Sequence, residues 1–177
     1  LPLNAAAQEP ATLLSWDELS AEDKRYSARN MEIYAAMVDR MDWNIGRVLD
    51  YLRDTGDLDN TLVIFLSDNG AEGANIIQQT FMAVGIRIPP TPFEQLGSAT
   101  SKTGYGPHWA QASTMPFRLF KANMTQGGLV SPTIIRYPRF ERQGQIDPAF
   151  ATVMDIAPTV LDLAGVEHPG TKYRDRD

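Results

Sequence analysis

One stretch decides the fold: Thr61-Leu62-Val63-Ile64-Phe65-Leu66-Ser67-Asp68-Asn69-Gly70. Its first part, residues 62–66, is an unbroken apolar run that contains β-branched and aromatic residues. A run of this kind predicts a strand buried on both faces, as in a parallel sheet. The run stops at Ser67, and Gly70 then permits a sharp turn. The stretch therefore begins as a strand and ends in a polar loop.

Two oxygen-bearing side chains, Asp68 and Asn69, stand side by side in that loop. Ligands of open α/β sheets collect at the carboxyl ends of the strands. A carboxylate and a carboxamide at that place form a hard-oxygen pair suited to Ca²⁺ or Mg²⁺. Asp-Asn-Gly is also ordinary turn chemistry, so a plain turn and a metal site both remain open from this stretch alone.

The totals bound the class of protein. The chain has 177 residues, 43% of them hydrophobic, which suits one domain or part of a larger one. A net charge of −6 argues against a nucleic-acid partner. There is no cysteine and there are two histidines, so neither a disulfide framework nor a zinc site built from this chain is expected. No apolar run of about 18 residues predicts a membrane span.

The N-terminal region carries neither a starting Met nor a signal pattern, and we expect the sequence to be cut from a longer protein. Residues 1–19 are interpreted as a linker or a poorly ordered end. A long helix is predicted from the capping residue Ser20, with Asp23 completing the cap, to about Thr55, with Gly56 as its stop. Its apolar stripe is expected to face the core: Tyr34, Met37, Val38, Met41, Ile45, Val48, Leu49 and Leu52.

Beyond Gly70 the periodic pattern is lost, and residues 71–107 are predicted to be an irregular loop region. Such a region is a binding loop or lid, or a variable surface insertion. Residues 76–88 are compatible with either a short helix or a short strand. Further along, residues 132–138 predict a second short strand bounded by prolines. Within the apolar stretch 150–163, Asp155 is predicted to cap a helix that has Pro158 in its first turn and ends at Gly165.

Residues 104–128 combine small residues, aromatics, one histidine and one lysine in a turn-rich segment. Lys121 precedes a loop that closes on Gly127 and Gly128, and a lysine there offers positive charge to an anion. A solvated surface lysine is the alternative. His108 is compatible with a ligand contact, a stacked surface ring or a structural hydrogen bond.

Several of these blocks together resemble one family, the type I sulfatases of the alkaline-phosphatase-like superfamily, in the arylsulfatase and alkylsulfatase branch. The blocks agree in order and spacing from about residue 20 to residue 170: MDWNIGRVL (41–49), FLSDNGAEG (65–73), YGPHWA (105–110), FRLFK (117–121) and ATVMDIAPT (151–159). The resemblance implies an α/β fold, part of a three-layer arrangement with a mostly parallel central sheet. In this interpretation residues 1–177 form part of a sulfatase catalytic domain.

The resemblance also implies roles. Asp68 and Asn69 correspond to ligands of a single Ca²⁺, and Lys121 corresponds to the lysine that binds the sulfate group and assists catalysis. The implied reaction is hydrolysis of an aryl or alkyl sulfate monoester to an alcohol or phenol and inorganic sulfate. His108 occupies a variable place in its motif, so no role is carried over to it.

The sequence departs from the family pattern in two ways. Gln126 and Val130 replace a glutamate and an arginine that many sulfatases carry around the Gly-Gly pair. The family's nucleophile is a formylglycine made in a Cys/Ser-x-Pro-x-Arg motif, which these residues lack. We therefore expect the formylglycine, the other Ca²⁺ ligands and a C-terminal domain to lie outside this chain, and the chain alone to be inactive and to bind Ca²⁺ weakly.

Two other functions remain open from the sequence. One is a phosphatase or phosphonate hydrolase of the same superfamily, although Asn69, where those enzymes often carry histidine, favours a hard cation. The other is a non-catalytic metal-binding module. The compartment stays open, with the bacterial cytoplasm or periplasm as the expectation. The isolated chain is expected to be marginally stable or to associate, because unpaired strand edges template pairing.

Overall fold

The computed structural model describes residues 14–74, 85, 89–167 and 170. The chain divides into two units, Leu1–Pro138 and Arg139–Asp177, and each is described by itself. The described part of the first unit contains these elements: α1 (Ala21–Asp54), β1 (Val63–Leu66), α2 (Gly106–Thr114), α3 (Gln126–Leu129) and β2 (Thr133–Arg136). Short 3₁₀ turns lie at Trp16–Glu18, Leu58–Asn60 and Phe93–Gln95.

The long helix α1 begins and ends where local chemistry predicts. The Ser20 hydroxyl accepts a hydrogen bond from the Asp23 backbone N–H at 3.1 Å and donates to the Asp23 carboxylate at 2.7 Å. This satisfies one of the backbone donors left unpaired at a helix start. Gly56 follows the helix with φ of +78°, a conformation in which glycine has no Cβ penalty. The predicted bounds of this helix are confirmed.

The first half of α1 is covered, mainly by the chain that follows β1. Trp109 Nε1 donates to the Ser27 hydroxyl at 2.9 Å, and the Tyr105 ring lies 4.5 Å from the Tyr34 ring. Leu96 and Ala110 are buried in this region. The contacts hold residues 93–110 along the helix. The predicted linker also contributes, because the Trp16 ring, within the 3₁₀ turn, meets the Trp109 ring edge-on at 6.1 Å.

The predicted core stripe of α1 is wrong over the second half of the helix. No residue of α1 is buried, and Met37, Met41 and Val48 are 65%, 45% and 60% exposed. Apolar spacing indicates which face a helix would bury, but the covering surface must come from elsewhere. On the same half, Ile45, Leu49 and Leu52 are half-buried, so the described residues cover the stripe only in part and its methionines and Val48 face solvent.

The described strands form a two-stranded antiparallel sheet. Val63 pairs with Arg136 and Leu66 pairs with Thr133. Both strands are largely uncovered, since Phe65 is 36% and Ile134 64% exposed. This differs from the expected parallel, doubly buried strand, because an apolar run indicates burial but carries no information about strand direction. The second short strand, Thr133–Arg136, agrees with the sequence-based expectation.

In the second unit, a 3₁₀ turn at Val153–Asp155 leads into α4 (Ile156–Leu163). Asp155 stands at the N-cap position, but its carboxylate accepts from the Thr152 N–H at 2.6 Å instead of capping α4. The predicted cap is therefore shifted back by one turn. Gly165, with φ of +67°, ends the helix as predicted.

Some predictions concern residues outside the described ranges. They include most of residues 1–13 and 76–88 and the C-terminal tail from residue 171. The described parts of the predicted loop region 71–107 are irregular apart from the Phe93–Gln95 turn and the start of α2. Among the described helices, none has the length and apolarity needed to cross a bilayer.

The partly uncovered half of α1 leads to a test of association. The 177-residue chain is expected to self-associate at micromolar concentration, since exposed apolar surfaces of this extent drive contacts between molecules. Replacing both Met41→Glu and Val48→Glu is expected to lower the weight-average mass measured by sedimentation velocity. The control replaces two exposed residues outside the stripe, Gln95→Glu and Ala99→Glu. A parent chain that stays monomeric over the concentration range contradicts the prediction.

Candidate functional site

The loop after β1 is tied to the segment before β2. The Ser67 N–H donates to the Pro132 carbonyl at 3.4 Å, and the Ser131 hydroxyl donates to the Ser67 carbonyl at 2.7 Å. These bonds extend the strand pairing by one step beyond the sheet. They fix the carboxyl end of β1, where Asp68 and Asn69 stand.

Asp68 and Asn69 present oxygens that the described part of the chain does not use. Asn69 Nδ2 donates to the Gly70 carbonyl at 2.9 Å, and the Asn69 carbonyl accepts from the Ser67 hydroxyl at 2.9 Å. This arrangement orients the Asn69 amide and leaves its Oδ1 unpaired within the described residues. The Asp68 side chain is exposed and has no hydrogen-bond or ion-pair partner among the described residues.

A second loop, residues 118–128, docks against the Asp68–Asn69 loop through glycines. The Gly70 N–H donates to the Gly128 carbonyl at 3.2 Å. A Cβ on Gly70 would lie 2.0 Å from the Gly127 carbonyl oxygen, and a Cβ on Gly127 would lie 1.8 Å from the Leu119 carbonyl oxygen. Gly73 similarly lies under the Phe120 ring, since a Cβ on Gly73 would lie 2.4 Å from a carbon atom of that ring. Only glycine permits these approaches.

Lys121 lies on this second loop and faces the first. Its backbone N–H donates to the Ala71 carbonyl at 2.9 Å, and its Nζ lies 3.1 Å from Glu72 Oε2. The Lys121 side chain is 37% exposed. Leu119 and Ala122, on either side, have φ of +61° and +71°, a region that non-glycine residues seldom adopt. Such conformations persist where the surroundings fix the backbone, and they are frequent at functional sites.

Two buried polar side chains of α2 hold the start of the lysine loop. Gln111 Nε2 donates to the Phe117 carbonyl at 3.0 Å, and Gln111 Oε1 accepts from the Leu119 N–H at 2.8 Å. The Thr114 hydroxyl donates to the Leu119 carbonyl at 2.8 Å. Gln111 and Thr114 are 7% and 9% exposed. Because buried polar groups are costly when unpaired, these bonds fix the conformation of the loop.

Tyr105 lies behind the site, between α1 and Glu72. Burial raises the pKa of Tyr105, an effect partly offset by hydrogen bonds from the Ser113 side chain and the Glu72 backbone. The phenol therefore stays protonated to a higher pH than a free tyrosine. His108 has a separate structural role, since its Nε2 forms a short hydrogen bond with the Leu14 carbonyl.

The structure thus brings Lys121 beside the loop that carries Asp68 and Asn69, and it leaves His108 elsewhere. Within the described ranges, no group of three acidic, histidine or cysteine side chains forms a complete metal site. Sequence reasoning did not single out Glu72, Gln111 or Thr114. Glu72 falls inside a matching block, which was a usable signal, whereas the burial of Gln111 and Thr114 depends on long-range packing. The helix α2 was also not predicted, although its Pro107 near the first helical position was a usable signal.

Comparisons with known proteins identify the family. The sequence model of the Sulfatase family matches residues 5–166. An uncharacterized sulfatase of Schizosaccharomyces pombe is 52% identical over 92% of this chain and 30% of its own length. The arylsulfatase of Klebsiella aerogenes is 35% identical over 86% of this chain and 33% of its own length. The steryl-sulfatase of Mus musculus is 32% identical over 86% of this chain and 20% of its own length.

The chain belongs to the sulfatase family, because the family model covers most of its length. This confirms the resemblance seen in the sequence and carries with it an α/β fold. The chain spans about a third or less of the length of these relatives.

The glycine contacts predict an asymmetric response to alanine. Gly127→Ala is expected to lower the free energy of unfolding by about 3 kcal/mol, because the new methyl group meets the Leu119 carbonyl and the backbone must move. Gly46→Ala, in the interior of α1 with open space around it, is expected to raise that free energy by about 0.5–1 kcal/mol. Urea denaturation followed by circular dichroism measures both. Equal effects would contradict the close packing of the two loops.

Proposed function

We propose that this chain is the calcium- and sulfate-binding part of a sulfuric ester hydrolase. The whole protein would cleave an aryl or alkyl sulfate monoester with water to give an alcohol or phenol and inorganic sulfate. One observation carries the proposal: the Lys121 loop is docked on the loop of Asp68 and Asn69, so a cationic group and two hard-oxygen groups share one edge of the fold. The similarity to an arylsulfatase and a steryl-sulfatase supports it.

Asp68 and Asn69 fit a calcium ion by the chemistry of their donors. Ca²⁺ takes six to eight oxygen ligands from carboxylates, carboxamides, carbonyls and water. The Asp68 carboxylate is unpaired among the described residues, and the Asn69 amide is oriented by its bond to Gly70. These two residues supply part of such a ligand set, and the rest would come from outside this chain. When bound, the ion would polarise sulfate oxygens as a Lewis acid.

Lys121 is the proposed sulfate-binding and catalytic residue of this chain. A sulfate monoester is an anion, and negative charge builds on the bridging oxygen as the S–O bond breaks. A fixed ammonium group attracts the anion and stabilises that charge, and preorganised charge of this kind is often the largest catalytic contribution. Glu72 engages one side of the ammonium group, and a lysine ammonium has three N–H donors in all. The remaining donors are available to a sulfate group.

The nucleophile must come from elsewhere in the protein. The chain has no cysteine and no Cys/Ser-x-Pro-x-Arg motif, so the formylglycine of the family would be supplied by a segment outside these 177 residues. The three-layer fold with a mostly parallel central sheet is likewise proposed for the whole catalytic domain, to which this chain contributes. On this view the 177-residue chain does not turn over sulfate esters by itself.

The role of Lys121 is tested in the full-length protein that contains this sequence. Lys121→Ala is expected to lower kcat/KM for p-nitrophenyl sulfate by about 100- to 1000-fold, since one preorganised charge is lost at the reacting group. Lys102→Ala is the control, because Lys102 is also exposed but lies outside the docked loops. Full activity of Lys121→Ala, or hydrolysis by the parent of a phosphate but not a sulfate ester, would overturn the proposed function.

The metal ligands are tested separately by metal content. Asp68→Ala is expected to lower Ca²⁺ affinity by at least about tenfold, because a carboxylate is the strongest oxygen ligand that this loop offers. Isothermal titration of the chelator-treated full-length protein with CaCl₂ measures the change. Asp39→Ala, which removes an exposed carboxylate from α1, is the control. Unchanged Ca²⁺ binding by Asp68→Ala would remove Asp68 from the site.

A further inference from the structure

We propose that Glu72 is a positioning residue that holds the Lys121 ammonium in the orientation used for sulfate. The inference rests on the proposed function of Lys121 and deepens it. The Glu72 carboxylate contacts the lysine directly, with Oε2 lying 3.1 Å from Nζ. Glu72 is neither one of the proposed Ca²⁺ ligands nor the proposed sulfate-binding residue.

The carboxylate of Glu72 is itself fixed, which is what a positioning role requires. Its Oε1 accepts from the Ala74 backbone N–H at 2.8 Å, while Oε2 faces Lys121. Both oxygens of the Glu72 carboxylate therefore have a partner, one on its own loop and one on the Lys121 loop. Because the carboxylate is held in place, it restricts the position of the Lys121 ammonium group.

The lysine side of the contact is prepared in the same way. The Lys121 backbone is bonded to Ala71, the residue next to Glu72, and Phe120 covers Gly73 on the other side of Glu72. Three consecutive residues of one loop thus meet two consecutive residues of the other. The backbone of Lys121 is placed by these contacts, but four methylene groups separate it from Nζ. The Glu72 carboxylate is the described group that restricts this flexible stem at its far end.

A carboxylate beside an ammonium group weakens the binding of an anion to that group. The proposal therefore predicts different effects of Glu72 on KM and on kcat. Glu72 weakens the attraction of Lys121 for any anion, so a group selected only for tight binding would not be acidic. A charge that orients the ammonium instead favours the transition state, where the geometry matters most, over the bound ester. Loss of the Glu72 charge is therefore expected to lower kcat and to leave KM unchanged or lower.

The first experiment measures the contact without relying on activity. Trace acetylation by acetic anhydride, quantified by peptide mass spectrometry, reports how available the Lys121 amine is in the folded full-length protein. Glu72→Gln keeps an oxygen acceptor for the Ala74 N–H and removes the negative charge that lies beside the Lys121 ammonium group. Its Lys121 labelling is expected to rise about two- to fivefold over the parent, with no change at Lys102. Equal Lys121 labelling in the parent and in Glu72→Gln overturns the proposal.

The second experiment is a double-mutant cycle on p-nitrophenyl sulfate hydrolysis. In the parent background, Glu72→Gln is expected to lower kcat about tenfold without raising KM. In the Lys121→Ala background, the same substitution is expected to change kcat by less than about twofold. Glu94→Gln, an exposed carboxylate on the 3₁₀ turn, is the control. If the loss of kcat in the double variant equals the product of the two single-variant losses, Glu72 acts independently of Lys121, and the proposal is overturned. An inactive parent would overturn the proposed function alone, since the labelling result still decides whether Glu72 holds Lys121.

Discussion

The candidate site depends on one backbone-to-backbone contact, the approach of Gly70 to Gly127 and Gly128. No side chain intervenes there, and the Gly70 N–H is bonded directly to the Gly128 carbonyl. Because the two loops touch at main-chain distance, the backbones that carry the charged groups are held close together. The segment before β2 holds one loop of this contact, and α2 holds the other. A longer side chain at Gly70 or Gly127 would separate a lysine from the loop it serves.

A polar network, and not an apolar core, fixes the lysine loop. Few apolar side chains are buried among the described residues, while Gln111 and Thr114 are both buried and fully engaged with the backbone of residues 117–119. Apolar packing tolerates small displacements, whereas hydrogen bonds to buried groups demand defined distances and angles. The unusual backbone conformation of Leu119 is sustained by these bonds, which engage both its N–H and its carbonyl. The catalytic role proposed for the Lys121 ammonium would benefit from such directional constraints.

The features that the sequence predicted well are those with local causes. The limits of α1 follow from Ser20 and Gly56, and the short strand β2 from its flanking prolines. Asp68, Asn69 and Lys121 were selected as candidates because their motifs are contiguous, and the structure places them on neighbouring loops, while their roles stay predictions. The antiparallel pairing of β1 and the exposure of Met41 depend on which surfaces meet, and no short pattern encodes that. Glu72 stands inside a contiguous block, but its contact with Lys121, 49 positions later in the chain, could not be read from that block.

The two docked loops are separated in sequence by a long connection but are joined in space by their own hydrogen bonds. Lengthening a connection whose ends are already held together is inexpensive, at about 0.6 kcal/mol for each doubling of its length. Residues can therefore be inserted between Ala74 and Pro89 at small cost while Lys121 keeps its place beside Ala71. The chemistry of the charged site and the shape of the surface around it become separately variable. Related proteins with this arrangement can therefore change their substrate specificity while the loops that carry the charged residues stay unchanged.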